Sequence, residues 1–126
     1  MIQFTIPGRP VTKKNSSRIV TNKATGKPFI LPSEQFKEYQ DAAGWHIPYK
    51  HKFIKDRINL KCVYYMPTRR KVDLANLLSA TCDILVHYGA IEDDNCEIVA
   101  SHDGSEVKYD KDNPRVEITI TEKETE

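Results

Sequence analysis

The sequence lacks any apolar run near the ~18 residues that a membrane-spanning helix requires, so no membrane association is expected. Its opening, MIQFTIPGRP, has neither the basic start nor the long apolar stretch of a secretory signal, and a cytoplasmic location is expected. Cysteine is scarce. Cys62, Cys82 and Cys96 cannot all pair within one chain, and neither they nor His46, His51, His87 and His102 show the spacing of a zinc site. The five glycines form no phosphate-cradling loop, and no nucleophile elbow is present. Repeats and low-complexity segments are absent, which excludes solenoids and simple linkers.

What is present is a charge asymmetry hidden under a net charge of +1. Residues 1–71 carry 15 Lys/Arg against 4 Asp/Glu, whereas residues 72–126 carry 4 against 14. With 126 residues the chain fits one domain, 1–126, in which the two halves neutralise each other. Locally the cations gather. Lys13, Lys14, Arg18, Lys23 and Lys27 share a polar stretch that reads as a basic loop over 8–31, and Arg69, Arg70 and Lys71 directly precede Asp73. A polyanion approaching carboxylates needs such neighbours, because bare acidic groups repel phosphates.

Alternation predicts a strand over Ile2–Ile6, ended by Pro7 and Gly8. IVTNKATGKPFIL reads as a hairpin or an ordered loop. Ser33 can cap a helix over 34–43, stopped by Gly44, and INLKCVYYMP reads as a second strand with Ile58, Leu60, Cys62 and Tyr64 on one face. Residues 74–88 read as a helix with Leu74, Leu77, Leu78, Thr81, Leu85 and Tyr88 on one stripe, ending at Gly89. EIVASHDGSEVKYD and PRVEITITE alternate as two further strands, and 122–126 should fray. The expected fold is a single small α+β domain: two main helices over a mixed or antiparallel sheet of about four strands. Trp45, Tyr49, Phe53, Tyr64 and Tyr65 are able to stack on unpaired bases, but at strand and helix spacings they are expected in the core.

Six acidic residues, Asp73, Asp83, Glu92, Asp93, Asp94 and Glu97, crowd one stretch around the second helix. Opposite its leucine stripe lie Asn76, Ser79, Ala80, Asp83 and His87, and Asp73 can reach that side from the helix start. Asp93 and Asp94 follow Gly89, where a reversal brings them toward either half of the helix. If these groups converge, Asp oxygens with the Asn76 carbonyl make a hard, oxygen-only site suited to Mg²⁺ or Mn²⁺, ions that serve phosphodiester hydrolysis. Simpler duties are also open: Asp73 as an N-cap, Asp83 on a solvated helix face, and Glu92–Asp94 as a solvated turn.

FTIPGRPVTKKNSSR, RRKVDLANLL, CDIL, GAIEDDNCEIV and PRVEITI together resemble the RusA family of Holliday junction resolvases, over nearly the whole chain. The resemblance implies an Mg²⁺-dependent endonuclease of bacteria or their phages, acting as a homodimer that nicks two strands of a four-way DNA junction symmetrically. It places Asp73 at the first aspartate of the family's D-x-D-N pattern, Asn76 at its asparagine and Asp94 at the third catalytic aspartate. Asp73, Asp94 and Asp93 are then the expected metal ligands, and Lys13, Lys14, Arg18, Arg69, Arg70 and Lys71 the expected DNA contacts. Ala75 stands where the pattern has its second aspartate, and Ser79 where it has a lysine. Asp83, Asp93 or Asn76 are candidates for the missing oxygen, and Lys71 or Lys14 for the missing cation. Two rival expectations remain: a junction-binding dimer with weak or no catalysis, and an adaptor whose charge blocks simply pair.

Overall fold

Alternation along INLKCVYYM puts Ile58, Leu60, Cys62, Tyr64 and Met66 on one side of a strand. All five are buried in the computed structural model, which describes residues 1–13, 18–31 and 34–124. This strand, β4 (Ile58–Met66), is the middle of the sheet; the others are β1 (Ile2–Pro7), β7 (Arg115–Glu122), β5 (Val99–Ser101) and β6 (Glu106–Tyr109). The order is β1-β7-β4, with β5 and β6 in line along the far edge of β4. β7 is antiparallel to both neighbours, while β5 and β6 run parallel to β4. Five strands therefore form the sheet where about four were expected.

The register explains the core. Ile6, Val116 and Tyr64 lie in one row across three strands, Phe4, Ile118 and Cys62 in the next, and Ile2, Ile120 and Leu60 in the third. These rows carry the apolar face, and each large side chain fully withdrawn from water contributes roughly 1.5–3 kcal/mol. Helix α1 (Glu34–Ala43) adds Phe36 and Ala43 to that core, and α2 (Leu74–His87) adds Leu77, Ala80, Thr81, Cys82, Ile84 and Leu85. A buried hydrogen bond of 2.7 Å joins Tyr64 Oη to Thr81 Oγ1, which in turn donates to Leu77 O, so sheet and helix are tied at one place. The expected bounds of both helices hold to within one residue. Ser33, the expected cap of α1, lies outside the described residues.

Two features differ from expectation, and a third settles the choice left open for IVTNKATGKPFIL. Ala80, assigned to the polar side of α2, is buried, so the packed sector of the helix is wider than its leucine stripe. The stretch EIVASHDGSEVKYD is interrupted at His102–Ser105, where Gly104 takes φ +86°. Side chains complete the ladder there: Asn59 Oδ1 accepts from Asp103 N and Ser101 Oγ, and Ser105 Oγ accepts from Cys62 N. The basic stretch 8–31 holds a hairpin, β2 (Arg18–Thr21) with β3 (Pro28–Leu31), turned by Asn22 and Gly26.

The link from α2 to β5 runs beside residues 51–54, which no periodicity indicated. His51 N, Phe53 N and Ile54 N donate to Tyr88 O, Gly89 O and Ala90 O, and Glu92 N donates back to Ile54 O. Gly89 is required here: its φ is +68°, and a Cβ would meet the Phe53 ring at 2.9 Å.

Candidate active site

Helix α2 presents acidic groups at its start and in its second half. At the start, Asp73 has the extended backbone of an N-cap, and its Oδ1 accepts from Ala75 N at 3.0 Å. The simple capping duty is thus real, and it uses only one carboxylate oxygen; Oδ2 takes no hydrogen bond among the described residues. Asn76, one turn in, is half-buried on the side shared with Asp83. Asp83 lies ten residues beyond Asp73, about 15 Å along the axis at 1.5 Å per residue, so one ion cannot be held by both within a chain.

The reversal after Gly89 brings the acidic turn to the second half of the helix. Asp93 is occupied locally: its Oδ1 accepts from Asp94 N and its Oδ2 from Asn95 Nδ2. Those bonds, the backbone one first, hold its carboxyl below the ordinary carboxylate range. Asp94 behaves oppositely. Although it is exposed, slight desolvation, then its hydrogen bond with Asp93 and the charges of Asp93 and Asp83, push its carboxyl up. Asp94 and Asp83 also act on the buried thiol of Cys82, which burial chiefly raises to about 12. Asp94 and Asp83 therefore share one electrostatic neighbourhood, with Cys82 beneath them.

Cations meet this acidic side from two directions. Lys13 Nζ lies 3.4 Å from Asp83 Oδ2 and 5.9 Å from the centre of the Phe36 ring, tying the segment after β1 to both helices. With both partners well exposed, that ion pair contributes at most about 1 kcal/mol. Just before α2 in the chain, a cleft of about 270 Å³ is lined by Arg9, Thr12, Gln35, Thr68, Arg70, Lys71 and Val72. Arg70 and Lys71 were expected to contact phosphate; Arg9, Thr12, Gln35 and Thr68 were not singled out. Arg9 had a signal in GRP directly after the first strand, whereas Gln35 and Thr68 come together only through folding. Arg69 leaves this group: its guanidinium sits 4.3 Å from the Tyr109 ring, on the β6 edge. Arg18 begins β2, and Lys14 lies outside the described residues.

Donor chemistry and grouping give different answers about a metal. Asp73, Asn76, Asp83 and Asp94 offer only hard oxygen donors, and like charges crowded around Asp94 are of the kind a divalent cation relieves. Among the described residues, however, no three of His, Cys, Asp or Glu form a metal-holding cluster. The residues fit a divalent ion in kind, then, and they lie at two stations along α2. Among the described residues no helix is long and apolar enough to cross a membrane.

The aromatics divide. Tyr64 is core, with its hydroxyl pushed up by burial, and Tyr65 lies under the Arg115 guanidinium at 3.8 Å. Trp45, Tyr49 and Phe53, expected in the core, are instead 87%, 52% and 47% exposed, because the 3-10 turn Gly44–His46 and the segment after it run over the surface.

No curated protein matches the chain. A family model described as Endodeoxyribonuclease RusA matches residues 7–121, a span from the last residue of β1 to β7 that includes the basic cleft, both stations of α2 and the acidic turn. The chain belongs to the RusA endodeoxyribonuclease family.

Proposed function

We propose that the protein is a divalent-metal-dependent endonuclease that resolves four-way DNA junctions and other branched DNA by paired nicks, acting as a homodimer. The family implies endodeoxyribonuclease activity on junctions. The observation that carries the rest is that cations adjoin both acidic stations of α2. Arg9, Arg70 and Lys71 line a cleft that reaches Val72, the residue before Asp73, and Lys13 meets Asp83, whose charge also reaches Asp94.

In this reading the cleft residues bind backbone phosphates and set the scissile strand against the carboxylates. Because phosphate contacts carry no base information, junction preference comes from shape and from the two-fold symmetry that a dimer shares with its substrate. Asp73 with Asn76 at the helix start, and Asp94 with Asp93 and Asp83 further along, are the residues that would hold Mg²⁺, or Mn²⁺ in its place. A bound ion of this kind lowers the pKa of water and stabilises charge on the leaving oxygen. Lys13 balances negative charge at Asp83, close to where the absent lysine at Ser79 would act, and so takes a part first considered for Lys71 or Lys14.

A second reading has a specific observation in its favour. With Ala75 in place of an aspartate and no metal-holding cluster among the described residues, the chain is suited to grip junctions while cutting weakly or not at all. Metal-dependent nicking of a synthetic four-way junction, with Asp73→Asn in parallel, separates the two. Tight binding without nicks selects the second reading, and restoration by Ala75→Asp with Ser79→Lys would then show what had been lost.

A further inference from the structure

The segment Gly44–Ile54 has features that the nuclease reading does not use. It shows three aromatic rings to solvent, Trp45, Tyr49 and Phe53, on a domain whose other large apolar side chains are mostly buried. Exposed Lys50 and Lys52 alternate with them, and Lys50 Nζ lies 5.7 Å over the Tyr88 ring. Trp45 and Lys50 border a hollow of about 260 Å³ floored by Gly44 and Tyr88, with Asp41 at its side. Gly44 allows this packing, since a Cβ there would lie 2.5 Å from the Tyr88 ring.

The backbone is held in a costly shape. Tyr49, His51 and Phe53, all non-glycine, take φ of +61°, +61° and +49°. Left-handed bulky residues persist only where surrounding bonds enforce them, and they concentrate at functional surfaces. Here Lys52 N to Tyr49 O, His51 N to Tyr88 O and Phe53 N to Gly89 O hold the chain. The segment is thus anchored to the end of α2, and the strand-like pairing of Ile54 with Ile91 leads from it to the acidic turn.

We infer that this face binds an unpaired DNA strand, its bases stacking on Trp45, Tyr49 and Phe53 and its phosphates meeting Lys50 and Lys52. Rings interleaved with cations suit a ligand that is flat, apolar and anionic along its length, as a single strand is and a base-paired duplex is not. A second copy of this chain suits it poorly, because a two-fold contact here sets lysines against lysines. The inference rests on the branched-DNA reading only for the choice of DNA over RNA. Its location implies that a displaced strand or flap is gripped beside the acidic turn.

Trp45 is the chain's single tryptophan and reports directly on the face. In chelator, the full-length protein is titrated with an oligothymidylate of about 12 nucleotides and with a duplex of matching length. Saturable quenching of Trp45 emission by the single strand alone is expected, weakened about tenfold or more by Lys50→Glu with Lys52→Glu and steeply by salt. Phe53→Ser, followed by the same quenching, should weaken binding without loss of folded-state circular dichroism. Quenching that is absent, or equal for the duplex, overturns the inference. So does a protein-concentration-dependent blue shift of Trp45 without DNA, which would show a second copy on the face. The readings fail separately: an uncut junction with Trp45 still quenched strikes the nuclease alone, and a cut junction with Trp45 unquenched strikes the patch alone.

Discussion

The two stations of α2 use the same residue type for opposite physical ends. At the start, Asp73 is a structural cap whose charge faces the positive end of the helix, one residue beyond a cleft lined by Arg9, Arg70, Lys71 and Val72. In the second half, the exposed Asp94 sits among other carboxylates, its carboxyl pushed up by slight desolvation and by Asp93 and Asp83, with Lys13 the cation paired to Asp83. The first carboxylate caps a helix; the second, though exposed, lies where neighbouring carboxylates disfavour its charged form. A charge maintained against its own stability is what a binding or catalytic group looks like, and a charge that caps a helix needs no such explanation. The contrast says that Asp94 is the more informative residue of the two, although Asp73 carries the more recognisable motif.

The largest expected effect treats the stations as equals. Asp73→Asn and Asp94→Asn should each lower junction nicking by about a thousandfold while leaving junction binding within a fewfold, the scale of losing a group that acts on the transition state. Nicking assayed beside a gel-shift measures both, and a variant that retains full nicking removes its station from the site. A smaller effect separates cations from carboxylates. Arg70→Ala with Lys71→Ala should weaken junction binding about tenfold and reduce the slope of log affinity against log salt by about 1.8, as expected for two phosphate contacts. An unchanged slope would mean that the cleft does not hold backbone.

Stability should also separate the stations. Asp73→Ala removes the cap and should cost about 1 kcal/mol in denaturant unfolding. Asp94→Asn should instead leave Tm near pH 7 unchanged or slightly raised, because the carboxyl is exposed and its repulsions are screened. The folded-state pKa of Asp94 is raised above its unfolded value, so its favourable share of stability is present below the unfolded pKa and is lost as pH rises through the folded one. Any gain of the asparagine variant over the parent is therefore confined to neutral pH, and the two meet in acid. A Tm loss at pH 7 would place Asp94 in a structural pairing and undo the contrast. Least of all, Lys13→Ala should lower stability by no more than about 1 kcal/mol, its partner being half-exposed.

The contrast was only partly legible in the chain. Strong periodicity in INLKCVYYM and in residues 74–88 fixed β4 and α2, because each element must bury one face and its spacing shows which. The role of Asp73 was readable for the same reason: caps are local. Non-local pairings were not. Nothing in GWHIPYKHKF indicates that it lies against Tyr88–Ala90, and that pairing decides where the acidic turn goes and which aromatics stay outside. The same holds for Lys13, whose partner Asp83 is seventy residues away in sequence. Ala80 was misassigned because a helix wheel shows only the helix's own apolar stripe, whereas the core it joins covers a wider sector.

The most direct measurement is cleavage of a synthetic four-way junction against a matched linear duplex, in Mg²⁺, in Mn²⁺ and in chelator, for the parent and Asp73→Asn. The account predicts paired nicks at the junction alone, dependent on the metal and absent from the variant. Tight junction binding with no nicks in either metal, or nicks that persist in chelator, would contradict it.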